Sequence, residues 1–448
     1  MTASPDLFGH PRGIWVLAAT EFWDRVSFHG MQSLLVLYMA ESLLTPAHIG
    51  NIVGFATFRG AIECLTGPLS VRALATQVFG LYVAFVYLTP MLGGFLGDVV
   101  LGRRRAVALG ALLMTAGHFC MAFDQSFLLA LACLILGAGL FRGNLSPQFG
   151  ELYDPVDQRR DTAFQIYGAM VNLGAFIAPL TTGALGQAFG WHMGFAFAGF
   201  GMLIGLAIYL LGAPMVRPHP DLQRRPEAKD QRELSAQDRR VLTHLVLMIP
   251  MLTMFWVAQS QVWNTYNLWA RDHVELRFGG WTMPVPWLQS LDGLSPFILL
   301  PPVLLYWRRQ AAAGREPRET TKMAIGCFIF SLSTFWLAGA SAVTDHRGLT
   351  PLWWPVIFHL SSNLGWLFFS PTTSALYSRL APPGLTATLM GAATVSVFLG
   401  SLISGRMGVL YETLTPGQFW GLHAALVGLG GMLLLLMGAR LRRIGAQA

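Results

Sequence analysis

Apolar residues in this chain fall in long runs, and polar residues gather in short stretches between them. Neither the alternation of a half-buried strand nor the narrow stripe of a soluble helix dominates. A helix that is apolar on every side is not meant to face water. A membrane-spanning helix needs roughly 20 mostly apolar residues. Runs of that kind lie at 13–40, 73–96, 105–123, 127–149, 163–185 and 193–212, and again at 241–270, 287–307, 323–342, 353–380, 386–409 and 419–439. Between the two sets, 213–240 is the only long polar stretch. It is rich in Pro, Arg, Glu and Asp and reads as a solvated linker. The predicted architecture is an all-α membrane protein of twelve transmembrane helices: a six-helix bundle over 1–212, a cytosolic linker over 213–240, and a second six-helix bundle over 241–448.

Composition agrees. The chain is 54% hydrophobic and 12% charged, whereas soluble domains carry about 25% charged residues. In water such a chain would expose far more apolar surface than a monomer tolerates, so the lipid bilayer is its expected surrounding. The net charge of +7 does not indicate a nucleic-acid partner, because the basic residues sit in the short loops. Arg103 to Arg105, Arg159, Arg160, the linker arginines, Arg308, Arg309, Arg315, Arg318, Lys322, Arg379 and Arg440 all fall on one side of the layout. The positive-inside rule makes that side the cytosol and places both termini there. The first apolar run carries charges and follows a short polar start, so no cleavable signal peptide is expected. Cys64, Cys120, Cys133 and Cys327 form no CxxC pair; they read as small buried groups rather than as disulfides or metal ligands. No metal site and no cofactor other than a coupling proton are expected.

The chemistry lies in charges inside the apolar runs. Glu21, Asp24 and Arg25 share one helix in Glu21-Phe22-Trp23-Asp24-Arg25. Three ionisable groups there are costly, need partners, and usually mark function. Glu21 and Arg25 are four residues apart and face each other; Asp24 lies beside that face. A carboxylate near an arginine gains or loses a proton as the arginine's other partners change. A purely structural ion network is the alternative. Arg142 in Leu140-Phe141-Arg142-Gly143-Asn144 and Asp292 in Trp287-Leu288-Gln289-Ser290-Leu291-Asp292 are further charges within apolar runs.

The six-plus-six plan resembles the major facilitator superfamily, whose carriers bind substrate near the membrane midplane. Gly93-Gly94-Phe95-Leu96-Gly97-Asp98, followed by Leu101-Gly102-Arg103-Arg104-Arg105, resembles that superfamily's loop between helices 2 and 3. The resemblance makes Asp98, Arg103, Arg104 and Arg105 a gating latch; arginines that merely set topology are the alternative. The Glu21-to-Arg25 segment, with His10-Pro11-Arg12-Gly13 before it and His29-Gly30-Met31 after it, resembles the proton-dependent oligopeptide transporters, whose signature there is ExxER. The resemblance continues through the Arg142 segment, where the family usually has lysine, and through Asn172-Leu173-Gly174 in helix 5. It also covers Phe255-Trp256 and Gln261 in helix 7, and the Asp292 segment in helix 8. It implies proton coupling at Glu21, Asp24 and Arg25. It implies substrate binding by Arg25, His29, Gln32, Phe79, Arg142, Asn172, Trp256, Ser260, Gln261, Asp292, Trp366 and Ser370.

The chain departs from that family's pattern. Ser260 and Trp366 stand where the family has glutamates, and Gln32 where it has a second helix 1 arginine. Phe28, His29 and Phe79 replace pocket tyrosines, Ala393 a pocket tryptophan, and Gly168 a helix 5 tyrosine, with Tyr167 beside it. A zwitterionic dipeptide would lose two charge-assisted contacts worth about 1.5–3 kcal/mol each. Asp292 is the candidate anion for an amine and Arg142 the candidate cation for a carboxylate. Asp292 is also a third candidate for coupling. His29 and His359 are candidate proton switches, with hydrogen-bonded structural histidines as the alternative. The expectation is a monomeric secondary active transporter of the bacterial inner membrane, a proton symporter of peptides or of bulkier, partly aromatic peptide-like compounds. A proton-independent facilitator or exporter of a natural product such as a siderophore is the alternative. An enzyme is not expected: GxSxG, HExxH and metal-spaced His/Cys clusters are all missing from the sequence.

Overall fold

The computed structural model describes residues 6–154, 156–216, 235–344, 347–382 and 385–443. Among these, twelve helices have eighteen residues or more. They are α1 (Arg12–Tyr38), α3 (Val71–Leu96), α4 (Arg103–Cys120), α5 (Phe127–Glu151), α6 (Arg159–Phe189), α7 (Trp191–Gly212), α8 (Ala236–Gln261), α10 (Pro286–Ala312), α11 (Glu319–Ala338), α12 (Trp353–Leu380), α13 (Thr386–Gly408) and α14 (Pro416–Arg443). Two shorter helices lie between them, α2 (Phe55–Thr66) and α9 (Thr265–His273). Every predicted run is helical, and most ends fall within four residues of the predicted ones. Nine of the long helices are apolar enough to cross a membrane by length and composition alone. The other three, α1, α4 and α12, carry the intrahelical charges, the arginine triplet, and a run of Ser, Asn and His. Leu112, Leu136, Leu332, Phe335 and Leu436 are all more than half exposed, as lipid-facing side chains should be.

The contacts divide the chain into two compact units, one made of Met1–Val71 with Phe85–Ala228, the other of Arg72–Ala84 with Lys229–Ala448. The helix α3 thus contributes its first half to the second unit and its remainder to the first. In the first unit α4 packs on α5, and α1 on α6 and α7. In the second, α11 packs on α12 and α14, α8 on α13 and α14, and α10 on α12.

Both units use the same device to bring two helices together. A Cβ placed on Gly110 would lie 2.7 Å from the carbonyl oxygen of Gly137, and one on Gly137 would lie 2.8 Å from that of Gly110. In the other unit the corresponding distances are 2.7 Å for Gly326 against Gly365 and 2.8 Å for the reverse. Backbone touches backbone where lipid gives helices no hydrophobic reason to associate, so close packing has to hold them. The matching pairs lie on α4 and α5 and on α11 and α12; of these, α5 and α12 share a faint sequence echo (139–147 and 365–371).

Three local features differ from the predicted layout. The helix expected over 241–270 is broken: α8 ends at Gln261, and α9 starts after Asn264, whose backbone is far from helical. The break frees the Val262 carbonyl, and Gln289 of α10 satisfies it through Nε2 at 2.5 Å while also donating to Asn267 Oδ1 at 2.7 Å. Periodicity cannot reveal this, because the apolar run continues across the break. Second, α8 starts five residues earlier than predicted. Ser235 and Asp238 form a reciprocal capping box, which makes 236–240 helix rather than linker. The expected linker residues 217–234 lie outside the described residues. Third, α2 and a two-stranded hairpin (Arg277–Phe278 with Trp281–Thr282) occupy stretches too short or too polar to read as spans.

Gly365→Val should lower the melting temperature of the detergent-purified protein, since overpacking costs about 1–3 kcal/mol or more. Gly60→Ala, where a Cβ meets nothing within 4 Å, should leave it unchanged or slightly raised. Equal melting of wild type and Gly365→Val would show that the backbone contact is not required.

Candidate functional site

In the first unit, the polar face of α1 carries Glu21, Asp24, Phe28 and Gln32, spaced three or four residues apart so that they stack above one another. Glu21 and Asp24 are 1% and 0% exposed. Arg25 answers Glu21 from one turn along, with Nε and Nη2 each 2.7 Å from Oε1, and its Nη2 lies 3.4 Å from Asp24 Oδ2. From α5, Arg142 reaches Asp24 with Nε 3.3 Å from Oδ2 and Nη2 3.5 Å from Oδ1. Its guanidinium sits 4.0 Å above the Phe28 ring, a cation–π contact that holds the plane in place. From α6, Tyr167 donates to Glu21 Oε1 at 3.1 Å. The same helix passes close behind Arg25 because Gly174 has no side chain; a Cβ there would lie 2.5 Å from Arg25 Cβ.

Two carboxylates and two guanidiniums thus form one buried cluster whose formal charges cancel. All the Asp24 contacts are longer than the usual 2.7–2.9 Å of a charge-assisted bond, and Arg142 is held more loosely than Arg25, which also has Glu21 at 2.7 Å. One turn along α1 from Asp24, Ser27 Oγ lies 2.5 Å from His118 Nε2 of α4. His29 is half-buried, its ring edge-on to Phe28, and Gln32 is buried. Asn172 donates to its own helix at Gly168 O, 2.9 Å away. Asp98 accepts from Arg103 Nε at 2.7 Å, and Arg103 also meets Glu151 at the end of α5. Arg104 and Arg105 are exposed. With Asp98 53% exposed, its pair with Arg103 is worth about 0–1 kcal/mol.

The second unit has its own polar cluster. Asp292 of α10 receives His359 Nδ1 at 2.8 Å and Asn363 Nδ2 at 2.7 Å, both on Oδ1. His359 Nε2 lies 2.9 Å from Tyr266 Oη of α9. His359, Asn363, Trp366 and Ser370 follow one another along one face of α12, and Trp366 and Ser370 are half-buried. Trp256 on α8 is half-buried beside Phe255 and Phe369. Ser260 Oγ lies 3.0 Å from Ser401 Oγ. Gln261 is fully buried and donates to the Ser404 carbonyl at 2.9 Å, with His423 at 3.3 Å, so it ties helices together in this conformation. Phe79 is buried in the α3 half that belongs to this unit.

Sequence reasoning brought Glu21, Asp24 and Arg25 together on one helix face but did not show that Arg142 joins them. It did not select Tyr167, Tyr266, His118 or Asn363. The i, i+4 spacing of His359 and Asn363 was an available signal, but their common partner Asp292 is about 70 residues away and invisible to spacing.

Buried charges within apolar helices, two units built of long helices and glycine-mediated helix contacts define a polytopic secondary transporter of the major facilitator type. The profile of the POT family matches residues 104–236 and 227–419. That is well over half of the chain, which belongs to this family, the proton-dependent oligopeptide transporters. An uncharacterized transporter of Bacillus subtilis (strain 168), YclF, is 27% identical over 96% of this chain and 94% of its own length. The peptide transporter YePEPT of Yersinia enterocolitica is 27% identical over the same shares, 96% and 94%. Among solved structures, a peptide transporter POT in complex with sulfate aligns with a TM-score of 0.85 and 25% identity, covering 100% of this chain and 98% of the other. A mutant peptide transporter POT in complex with alafosfalin aligns at 0.83 and 26% identity, covering 99% and 97%. The chain is a multi-pass membrane transporter and not an enzyme.

Replacing one partner of the α1 cluster leaves a buried charge unmatched. Arg142→Gln should therefore destabilise the purified protein by about 3–5 kcal/mol. Adding Asp24→Asn should recover part of that loss, giving a coupling of about 0.5–3 kcal/mol in a double-mutant cycle of thermal melting. Strictly additive effects would mean that the Asp24–Arg142 contact carries no energy.

Proposed function

We propose that this chain is a proton-coupled symporter of peptides or peptide-like compounds in a bacterial-type inner membrane, acting as a monomer with both termini in the cytosol. The observation that carries the reading is the charge balance of the α1 cluster. With Glu21 and Asp24 ionised, Arg25 and Arg142 are fully matched and offer nothing to an anion. A proton on Asp24 releases Arg142, the more loosely held arginine, and leaves the cluster with one positive charge. A substrate carboxylate restores neutrality by taking the freed guanidinium. When the proton leaves, Asp24 reclaims Arg142 and the carboxylate is displaced. Proton and anionic end are bound together and released together, which is symport. Tyr167 holds Glu21 throughout, so Asp24 is the carboxylate that exchanges its proton, and Glu21 with Arg25 is the anchor.

At the amino end of the substrate, Asp292 is the anion of the second unit. Asn172, His29, Gln32 and Ser370 supply further polar contacts. Phe79, Trp256 and Trp366, with Ser260 and Gln261, favour an apolar, bulky side chain over a small one. Asp98 with Arg103, Arg104 and Arg105 forms the gating loop. The family membership and the likeness to peptide transporters support the substrate class. Two whole chains that align at about a quarter identity share an architecture more securely than a ligand.

The test is uptake into proteoliposomes of a labelled panel of di- and tripeptides, aromatic peptides and peptide-like metabolites, with and without an inwardly directed pH gradient. The gradient should stimulate uptake of an aromatic or peptide-like member several-fold. Asp24→Asn should abolish the stimulated component and spare exchange of substrate across the membrane. A flat response to the gradient would leave proton-independent carriage; full stimulation in Asp24→Asn would remove Asp24 from the coupling step.

A further inference from the structure

The Asp292 cluster is built differently from the α1 cluster, and the difference has a consequence. The α1 carboxylates have arginines beside them. Among the described residues, the ionisable group bonded to Asp292 is His359, and no lysine or arginine is ion-paired with it. Asp292 Oδ1 receives two hydrogen bonds, while Oδ2 is buried with no hydrogen-bond partner among the described residues. His359 is 0% exposed and has both ring nitrogens engaged.

The elements packed around the cluster bring little other charge to it. Tyr266 faces it from α9. Arg271 and Asp272, at the end of α9, pair with each other. His423 of α14 is held by the Phe419 carbonyl and Gln261. Cys327 of α11 is buried. Arg308 and Arg309 of α10, Arg379 of α12 and Arg406 of α13 lie in the C-terminal parts of their helices, Arg379 paired with Glu319.

An ionised Asp292 beside a neutral His359 is an unmatched negative charge on a side chain only 11% exposed, a costly arrangement within a membrane helix. One added proton neutralises the pair. It makes either an imidazolium against a carboxylate, with Tyr266 Oη accepting from Nε2, or a neutral imidazole against a carboxylic acid, with Tyr266 donating to Nε2. Both fit the observed contacts, since the ring and hydroxyl hydrogens can be placed either way.

We propose that Asp292 and His359 form a second, one-proton site in the C-terminal unit, distinct from the α1 cluster. The proton is held jointly by the carboxyl and the imidazole, and Tyr266 and Asn363 fix their geometry. The site goes beyond the symport reading above, whose coupling proton is the one on Asp24. The protonation itself is independent of whether the chain couples protons to uptake.

The test is infrared difference spectroscopy of the full-length protein in lipid, titrated between about pH 5 and about pH 9 with no substrate present. In wild type, carboxyl and imidazole signals should change together with one midpoint, and both should be lost in Asp292→Asn. In His359→Gln the proton has only the carboxyl to occupy. A protonated-carboxyl band should then appear on acidification without an imidazole signal, and vanish when Asp292→Asn is added. Both variants keep hydrogen-bonding side chains of similar size, and a joint carboxyl and imidazole change that persists unaltered in either single variant overturns the proposal if the other fails to fold. An Asp292→Asn spectrum that superimposes on wild type, or a His359→Gln band that survives addition of Asp292→Asn, would overturn the proposal. A wild type that shows the titration but no gradient-driven uptake would overturn the symport reading and leave this site standing.

Discussion

An ion inside a membrane helix must be neutralised by something, and the arrangement around Asp24 follows from that requirement. Asp24 is wholly shielded from solvent and lies between Arg25 on its own helix and Arg142 on α5. Remove either cation and a buried charge is left without its full complement; add a proton and an arginine is left over. The packing of α5 and α6 against α1, the glycine at position 174 and the tyrosine at 167 all keep these four charges within reach of one another. A cluster that is neutral only when its parts are matched responds to any ligand that changes the match.

The two units solve this requirement differently. The first balances carboxylates with guanidiniums, which stay protonated at any physiological pH. The second sets a carboxylate against an imidazole, a group that can itself gain or lose the balancing proton. A guanidinium brings a fixed charge to its carboxylate, whereas an imidazole partner can supply that charge or withhold it. The shared packing device, reciprocal glycines on α4 and α5 and on α11 and α12, shows that the framework repeats even where the chemistry placed on it does not.

Helix α8 and its continuation α9 illustrate how the framework admits polar groups. A break in an apolar helix exposes backbone carbonyls that lipid cannot satisfy. Gln289 supplies the missing donor at Val262, and its second bond, to Asn267, fixes the start of α9. Tyr266, one residue earlier on α9, is thereby held against His359. A local repair of the backbone also positions a side chain of the polar cluster.

The amino-acid sequence by itself determined the all-helical membrane class, the six-plus-six order and the positions of nearly every long helix. Apolar run length and basic loop residues are local quantities, and the bilayer converts them directly into spans. It also singled out Glu21, Asp24, Arg25, Arg142 and Asp292, because an ionisable residue in an apolar run is conspicuous wherever its partner lies. The tertiary structure alone decided that Arg142 meets Asp24, that Tyr167 joins Glu21, that His359 and Asn363 converge on Asp292, and that the seventh long helix is broken after Gln261. Those outcomes depend on helix rotation and on contacts between residues tens to more than a hundred positions apart. The energy of placing an ion in lipid shows that a partner is needed, but only the packed helices choose which one.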